Sequence, residues 1–345
     1  MPSQLALPDV PRKTQRALIL RGPKQRYELV DDWPLPLIES PNEVLIRIEA
    51  IGLNPIDWKS VDFGFAIPTL PAVNGRDLAG VIVDVGPAVK RLKKGDKVFG
   101  PSTQYRDYRT SAFQSYAVTL DHCLGIIPPT LTFEQASAIS VGVVTAALAL
   151  GSSFGIKIHG FSPRELAIGA DGENKEWMRK SPRRHGSNPD ETFDRTTAAM
   201  SAITFASSTL EMAPVCQRHH QGEWLLIWGA SSVTGSFAAQ FAKAAGMRVI
   251  AVADHNRHGQ RLMTIGVERI IDRASPEAAV AEIRRLTNGS LRYAIDCVGK
   301  TTAKYAIESL DATRQTYIVG LTGLPQEVPN NVQLCSVASN LVPHG

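Results

Sequence analysis

The stretch from residue 224 to residue 254 combines glycine, hydroxyl and acidic side chains at a spacing that suits phosphate binding. An apolar run, Trp224 to Trp228, leads into a turn between Gly229 and Gly235, and a helical pattern follows. A second apolar run, Arg248 to Ala253, ends at Asp254. A strand, a glycine turn, a helix and a second strand form the unit that lays a dinucleotide diphosphate on a helix N-terminus.

The glycines and the hydroxyl side chains of this turn have separate predicted roles. Gly229 permits the tight turn, and Gly235 lets the helix pack close to the sheet. Ser232 stands nearest the missing middle glycine of the usual G-x-G-x-x-G pattern. The groups predicted to contact phosphate belong to Ala230, Ser231, Ser232, Val233 and Thr234. Serine and threonine also cap helices, and the two roles can coexist.

Length and composition are those of a two-domain globular protein. The 345 residues are 43% hydrophobic and 20% charged, with a net charge of +4, which allows two cores and requires no acidic partner. No nucleic-acid binding is expected. The N-terminus lacks a secretory signal and no run approaches bilayer-spanning length, so we expect no membrane partner and a cytoplasmic location.

The sequence pattern changes near Pro128. Before it, short alternating runs separated by glycine predict an all-β barrel in the first 125 residues. The predicted strands include a hairpin at 16–30 and runs at 43–50, 75–86, 89–100 and 113–119. An apolar helical stretch follows from Thr132 to Leu150. Residues 155–221 are polar with mixed charge, which predicts a partly disordered surface insertion.

After this insertion, strands and helices alternate, as is typical of a parallel sheet covered on both faces. Beyond the first strand at 224–228, strands are predicted at 248–253, 269–272, 291–297 and 315–320, and helices at 257–265, 276–287 and 301–310. The helix after Gly229 is expected to bury Phe237, Ala238, Phe241 and Ala245.

Several motifs occur in a fixed order along the chain. They are Asn54-Pro-Ile-Asp57-Trp-Lys59, Pro71 to Gly80, Gly95-Asp96-Lys-Val98, Thr145 to Leu150, Asp296-Cys-Val-Gly299 and Val319-Gly320. Together they resemble the medium-chain dehydrogenase/reductase superfamily, and within it the zinc-independent quinone oxidoreductases and fungal trans-acting enoyl reductases. The resemblance implies an α/β fold: an N-terminal GroES-like β-barrel catalytic domain, residues 1–128, and a Rossmann cofactor-binding domain with a doubly wound parallel sheet, residues 129–345. The segment that closes the family's catalytic domain is expected to be missing after Gly345.

Two zinc-ligand positions of the family are changed in this chain. Zinc-dependent members carry a cysteine where Asn54 stands and a histidine where Arg76 stands. Cys123 has no nearby ligand partner in the sequence, and His219-His220 is interpreted as a pair of surface residues. We therefore expect no metal.

The resemblance implies hydride transfer from a reduced nicotinamide to an electron-poor carbon. Without zinc to polarise a carbonyl, reduction of a double bond conjugated to a carbonyl fits better than alcohol oxidation. Lys59 is the first candidate for the proton donor, unless it is an exposed lysine after a turn. Asn54 either binds the nicotinamide ribose or the substrate, or supports a turn before Pro55. Asp57 is expected to accept backbone N–H bonds in that turn.

Thr145 resembles the family threonine near the nicotinamide; the alternative is a buried helix threonine that bonds its own backbone. Val298 and Gly320 fall at the carboxyl ends of strands, where open α/β sheets bind ligands. Asp254 favours NADH, because an acid at this place bonds the ribose 2′-hydroxyl and repels a 2′-phosphate. The resemblance favours NADPH.

The side chains that could neutralise a 2′-phosphate are His255, Arg257 and Lys243. NADPH is therefore the expected cofactor, with NADH as the alternative. The expected function is reduction of an activated alkene on a small hydrophobic substrate, enoyl reductase-like, with a carrier-bound substrate of fungal polyketide metabolism as one form. The alternatives are an NADPH quinone oxidoreductase and a catalytically silent cofactor-binding or interaction protein. Both a homodimer and a monomer are open.

Overall fold

The computed structural model describes residues 13–64, 67, 69–102, 104, 107–157, 220–335 and 337. Contacts divide the chain into two compact units, Met1–Ser140 and Val141–Gly345. The domain boundary predicted from the sequence lies earlier, after residue 128. The two differ because helix α2 (Phe133–Ser137), which follows residue 128, packs on the strands of the first unit. Most of the predicted insertion, residues 158–219, and His219 with it, lies outside the described residues, as do residues 338–345.

The first unit is β-rich, as the sequence predicts. Its strands are β1 Thr14–Leu20, β2 Glu28–Pro34, β3 Glu43–Gly52, β4 Ala72–Val73, β5 Asp77–Val85, β6 Lys97–Pro101, β7 Tyr116–Leu120 and β8 Gly125–Ile126. They form a three-stranded sheet, β2-β1-β4, and a five-stranded sheet, β7-β3-β5-β6-β8. Every pairing is antiparallel, and β1 and β2 are the predicted opening hairpin. Apolar residues at alternate positions of the strands fill the core.

A helix that the sequence interpretation missed, α1 (Pro55–Phe63), follows β3 where a turn was expected. Asn54 is its N-cap residue in extended conformation, and proline at the first helical position is preorganised for a helix. The Asp57 carboxylate accepts the backbone N–H of Asn54 at 2.7 Å, so its role as an acceptor is confirmed, although in a helix. Gly64, with φ of 71°, ends α1 in the left-handed conformation.

The second unit contains a parallel sheet of six strands. They are β9 Trp224–Trp228, β10 Arg248–Ala253, β11 Arg269–Asp272, β12 Tyr293–Asp296, β13 Thr316–Gly320 and β14 Val332–Cys335. The helices are α3 Ser140–Ala147, α4 Val233–Ala244, α5 His255–Thr264, α6 Pro276–Thr287 and α7 Lys300–Glu308. The strand order β11-β10-β9-β12-β13-β14 is that of a doubly wound dinucleotide-binding fold, and its direction of winding reverses between β9 and β12.

Helix α4 packs on this sheet with its smallest side chains. Ala238, Ala239 and Ala242 are fully buried, while Phe237, Phe241 and Ala245 are only partly buried against the same core. The predicted face therefore does pack against the core, with Ala238 fully buried and these last three residues partly buried. Because small residues let the helix axis come close to the strands, the aromatic rings lie at the flanks of the contact.

Helical structure extends over Phe133–Ser153, where a π-helical turn, Leu148–Ser153, follows α3. By length and composition alone this stretch of 21 residues could cross a membrane, so the sequence statement that no run approaches that length is wrong. Half of its most apolar window is buried inside the protein. Core helices of soluble proteins pass the same test, which makes this weak evidence for a membrane span.

Candidate active site

The glycine turn after β9 has the geometry that its residue types predict. Gly229 has a φ of 81°, which a residue with a side chain adopts only with strain. Ser232 caps α4: its Oγ accepts the backbone N–H of Gly235 at 3.0 Å. The capping role expected for a serine of this turn is thus present. The backbone N–H groups of Val233 and Thr234 also lie in the first turn of α4 and have no acceptor within the helix.

Close packing leaves no room for side chains at this turn. A Cβ atom on Gly229 would lie 2.6 Å from Cγ2 of Val298, and one on Gly235 would lie 2.7 Å from Cα of Ala230. A Cβ on Gly142, in α3, would overlap the Val233 side chain. Val233 itself remains 48% exposed. A backbone cradle at an open helix N-terminus fits the diphosphate of a dinucleotide.

The carboxyl ends of β9, β12 and β13 lie side by side next to this cradle. Asp296 is in register with Trp228 on one side and with Gly320 on the other. Its Oδ1 accepts the N–H groups of Val298 and Gly299 at 3.0 and 2.7 Å. Val298 is 52% exposed and is the residue that a Gly229 side chain would strike. The structure therefore brings the predicted cofactor residues Gly229, Val298 and Gly320 to one edge of the sheet.

Asp296 also carries an oxygen with no hydrogen-bond partner among the described residues, Oδ2. The side chain is fully buried, and this burial raises its pKa. Thr322 Oγ1, close to Gly299, is likewise buried and without such a partner in the described part of the chain. Unsatisfied buried polar atoms are rare in native proteins. Both atoms follow or end strands at the carboxyl edge of the sheet, next to its switch point.

The acid at the end of β10 is already engaged by the protein. Asp254 caps α5, and its Oδ1 accepts the backbone N–H of Arg257 at 3.0 Å. Its Oδ2 lies 3.8 Å from the Arg273 guanidinium. Arg261 reaches the glycine turn, where its Nη2 donates to the carbonyl oxygen of Ser231 at 3.0 Å. His255 is exposed at the start of α5.

Sequence reasoning missed Arg261 and Arg273 as candidate cofactor residues. The spacing of Arg257 and Arg261, four positions apart on a predicted helix, was an available signal because such residues share a helix face. Arg273 follows β11, and its proximity to Asp254 arises only from the parallel pairing of β10 with β11. No local pattern indicates it.

The two candidate residues of α1 and its cap lie in the first unit. Asn54 is half-buried, and its Nδ2 donates to Oδ2 of Asp77 at 2.9 Å. Lys59 is also half-buried, with its ammonium 5.6 Å from the centroid of the Trp58 ring. Thr145 lies half-buried on α3 in the second unit. Their roles in catalysis stay predictions.

Charged side chains are buried around Asn54. Arg76 is 4% exposed, Asp77 is 2% exposed and Asp57 is 6% exposed. Burial raises the pKa of Asp57 to about 6, against the opposing effects of the Asn54 N–H bond and the Arg76 charge. Arg76 Nη1 also donates to Ser102 Oγ at 3.4 Å. A guanidinium therefore occupies a position that the family resemblance assigns to a zinc ligand.

Within the described ranges, no group of three or more histidine, cysteine and acidic side chains could hold a metal ion. Burial raises the pKa of the Cys123 thiol to about 12, which disfavours the thiolate that binds zinc. His220 is buried with its ring edge-on to Tyr293 at 5.2 Å. The expectation of a surface residue is therefore wrong for His220, because it packs against the aromatic side chains of the sheet.

Comparison with protein families identifies two matching domains. Residues 40–143 match the alcohol dehydrogenase GroES-like domain, and residues 234–340 match the zinc-binding dehydrogenase domain. A trans-enoyl reductase of Gibberella fujikuroi is 27% identical over 305 residues, which cover 88% of this chain and 70% of that protein. A trans-enoyl reductase of Botryotinia fuckeliana is 29% identical over 306 residues, covering 88% and 72%.

Solved structures share the fold. An alcohol dehydrogenase superfamily protein from Novosphingobium aromaticivorans superposes with a TM-score of 0.65 at 22% identity, covering 95% of this chain and 81% of that chain. Escherichia coli quinone oxidoreductase, solved with NADPH, gives a TM-score of 0.59 at 19% identity, covering 93% and 79%. The predicted α/β fold, with a GroES-like domain and a Rossmann-type parallel sheet, is confirmed.

Proposed function

The chain belongs to the medium-chain dehydrogenase/reductase superfamily, and from this premise we propose that it is an NADPH-dependent oxidoreductase that reduces a carbon–carbon double bond conjugated to a carbonyl. The observation that carries the proposal is the likeness to trans-enoyl reductases over 88% of the chain, across both units. The glycine cradle beside the switch point of the sheet supports a nicotinamide dinucleotide as the cofactor.

When bound, the reduced nicotinamide supplies the hydride that adds to the β-carbon of the substrate. Lys59 then donates a proton, or a hydrogen bond, to the enolate that develops. Asn54 binds a polar group of the ligands, and Thr145 contacts the nicotinamide. The substrate proposed is a small hydrophobic enoyl thioester, free or attached to a carrier, of the kind that fungal polyketide metabolism uses.

NADPH is proposed over NADH because arginine side chains lie near the Asp254 carboxylate, whose charge by itself would disfavour a 2′-phosphate. One of its oxygens caps α5, and the other lies 3.8 Å from Arg273. Arg257 and Arg261 lie on the same helix, and Arg261 contacts the turn itself. Guanidinium groups form strong charge-assisted bonds with phosphate, so this cluster offsets the acid.

Catalysis without zinc is proposed because of the buried charge of Arg76. A divalent cation beside a guanidinium that is 4% exposed would be repelled at short range, in surroundings where charges are poorly screened. The pair Asn54 and Arg76 also lacks the nitrogen and sulfur donors that zinc prefers.

The test is to incubate the purified protein and NADPH with a panel of enoyl thioesters and quinones, following NADPH oxidation. Oxidation that depends on the enoyl thioesters, with reduced alkene as the product, is the expected result. Activity on quinones alone would reject the enoyl reductase proposal. NADPH binding by calorimetry with no turnover of any compound would identify a silent cofactor-binding protein.

Michaelis constants for NADPH and NADH test the cofactor choice in the same assay. Arg273→Ala is expected to raise the KM for NADPH about tenfold, as for loss of one charged hydrogen bond, with little change for NADH. Arg269→Ala is the matched control, since Arg269 is an exposed arginine of the neighbouring strand β11. A wild-type preference for NADH refutes the choice of NADPH.

A further inference from the structure

Two carboxylates accept hydrogen bonds from Asn54, one from its backbone and one from its side chain. Its backbone N–H donates to Oδ2 of Asp57 at 2.7 Å, and its side-chain Nδ2 donates to Oδ2 of Asp77 at 2.9 Å. Asp57 comes from the first turn of α1, and Asp77 is the first residue of β5, twenty-three positions beyond Asn54. Local helix capping accounts for the first bond. Nothing in the capping of α1 requires the second.

Burying the ionisable side chains around Asn54 costs free energy. Asp57, Asp77 and Arg76 are 6%, 2% and 4% exposed, and each is an ionisable side chain removed from water. Replacing buried ionic groups by apolar side chains of similar volume is often neutral or stabilising. Stability alone is therefore a poor explanation for this cluster. What the cluster does achieve is a fixed position for Asn54, which is half-buried and so can be reached by a ligand.

The bond to Asp77 also sets the direction of the Asn54 carboxamide. An ionised carboxylate only accepts hydrogen bonds, so the NH₂ group of Asn54 must face Asp77 and the carbonyl oxygen, Oδ1, must face away. Donation to an anion polarises the amide and strengthens Oδ1 as an acceptor. Asn54 therefore presents one directed acceptor, suited to a hydroxyl or an amide N–H of a ligand.

We propose that Asp77 is a positioning residue of the reductase: it orients the Asn54 carboxamide so that Oδ1 accepts a hydrogen bond from a hydroxyl or amide N–H of the bound cofactor or substrate. This inference rests on the proposed function. The sequence predicted neither a role for Asp77 in the site nor its hydrogen bond to Asn54. Asp77 acts through Asn54 and does not itself touch the reacting atoms.

A double-mutant cycle on kcat/KM tests the proposal, with Asp77→Ala, Asn54→Ala and the double variant. Asp77→Ala is expected to lower kcat/KM about tenfold, the loss typical of one buried hydrogen bond. In the Asn54→Ala background the same change is expected to cause no further loss, because the carboxamide that Asp77 orients is already absent. Losses that multiply in the double variant would overturn the proposal.

Asp77→Asn is the charge-matched variant. Like Asp77→Ala it removes the negative charge beside Arg76, but it keeps an oxygen that can accept from Asn54, so it is expected to retain more kcat/KM than alanine. Equal losses in the two variants would assign the effect to charge and refute positioning. If Asp77→Ala does not fold at the assay temperature, the cycle is run with Asp77→Leu, which fills the space of the carboxylate and offers no acceptor to Asn54. Asp84→Ala, an exposed position on the same strand, is expected to change nothing.

The separate Michaelis constants identify the donor. A rise in the KM for NADPH alone places the hydroxyl or amide N–H on the cofactor, and a rise for the enoyl thioester alone places it on the substrate. The wild-type assay separates this inference from the proposed function. A chain that reduces no activated alkene refutes the proposed function, whereas an active chain with independent losses refutes only the role of Asp77.

Discussion

Lys59 lies on α1, half-buried, with its ammonium over the neighbouring Trp58 ring. Proton donation by a positioned side chain contributes about 10²- to 10⁴-fold to a rate. We therefore expect Lys59→Ala to lower kcat about 100-fold in the enoyl thioester assay, with little change in the temperature of unfolding. Lys90→Ala removes an exposed lysine of the same unit and is the control. Unchanged turnover in Lys59→Ala would remove Lys59 from the mechanism and leave the fold assignment intact.

Asp57 gives a prediction about stability and pH. Burial raises its pKa from 3.8 to about 6, so the folded state binds this proton more tightly than the unfolded state. Stability therefore falls as the pH rises from about 4 to about 6 and then stays lower. Each pKa unit corresponds to about 1.4 kcal/mol, which limits the loss to about 3 kcal/mol.

Asp57→Asn imitates the protonated acid at every pH and keeps an acceptor for the Asn54 N–H. We expect it to unfold at a higher denaturant concentration than wild type at neutral pH, with the difference closing as the pH falls to about 4. Denaturant unfolding across this range is the measurement. A difference that does not depend on pH would contradict the raised pKa.

At the residue scale, the sequence predicted side chains whose roles are local. Asp57 as an acceptor and a serine as the helix cap both depend on neighbours within three positions, and both are confirmed. Asp77 and Arg273 depend on contacts between segments far apart in the chain. One sequence contains no periodicity that reports such contacts, so neither residue was predicted.

The glycine turn supports a prediction at the scale of an element. Gly229 and Gly222 both have a φ of 81°, so alanine at either position strains the backbone by about 1–2 kcal/mol. At Gly222 an added Cβ meets nothing within 4 Å, whereas at Gly229 it meets Val298 at 2.6 Å. The two substitutions therefore differ in their effect on the candidate cofactor site and share the same backbone strain.

We expect Gly229→Ala to weaken NADPH binding about tenfold, because Val298 must move, while Gly222→Ala binds NADPH like wild type and is only less stable. A tenfold loss corresponds to about 1.4 kcal/mol. Calorimetric titration of both variants is the measurement. Equal loss of affinity in the two variants would show that strain, and not the crowding at Val298, is responsible.

At the scale of the elements, the sequence predicted most strands and helices of the second unit and missed α1 and β14. The predictions at 248–253 and 276–287 agree with β10 and α6, because a continuously buried strand and an amphipathic helix have strong patterns. The prediction at 269–272 also agrees with β11, an edge strand of the sheet. Helix α1 was missed although asparagine, proline and aspartate at 54, 55 and 57 form an N-terminal signal. Strand β14, Val332–Cys335, was not predicted.

Ligand binding gives a prediction for the whole molecule. A ligand that binds only the folded state stabilises it by about 2.7 kcal/mol at 100 times its dissociation constant. We expect NADPH to raise the temperature of unfolding by several degrees, and NADH at the same concentration to raise it less. Scanning calorimetry or dye-based melting measures both. A larger shift with NADH would contradict the proposed cofactor preference.

Treatment with a chelator tests whether turnover and stability depend on a bound metal. Because Arg76 and Asn54 stand where a zinc site would need ligands, dialysis against a chelator is expected to leave both turnover and the melting temperature unchanged. Apo-protein that loses activity and regains it with added zinc would refute the zinc-independent mechanism. The control is a known zinc-dependent dehydrogenase treated in parallel.

At the scale of the whole molecule, the sequence predicted the order of the elements, but it placed the domain boundary before the point where the compact units divide. Alternation of strands and helices after residue 224 indicated a doubly wound sheet, and the strand order agrees. Composition placed a boundary at a pair of prolines, residues 128 and 129, but the compact units divide after Ser140. Packing of α2 on β3 and β5 carries the first unit past those prolines.

Trp228 ends β9 immediately before Gly229, with its indole stacked on Tyr305 at 5.9 Å and only 2% exposed. An indole shielded in this way has a fixed environment, and its emission overlaps the absorption of a reduced nicotinamide. Excitation energy can thus pass from Trp228 to a dihydropyridine ring seated beyond the turn. We therefore expect Trp228 emission to fall when a reduced nicotinamide dinucleotide is added and to recover as the coenzyme is oxidised.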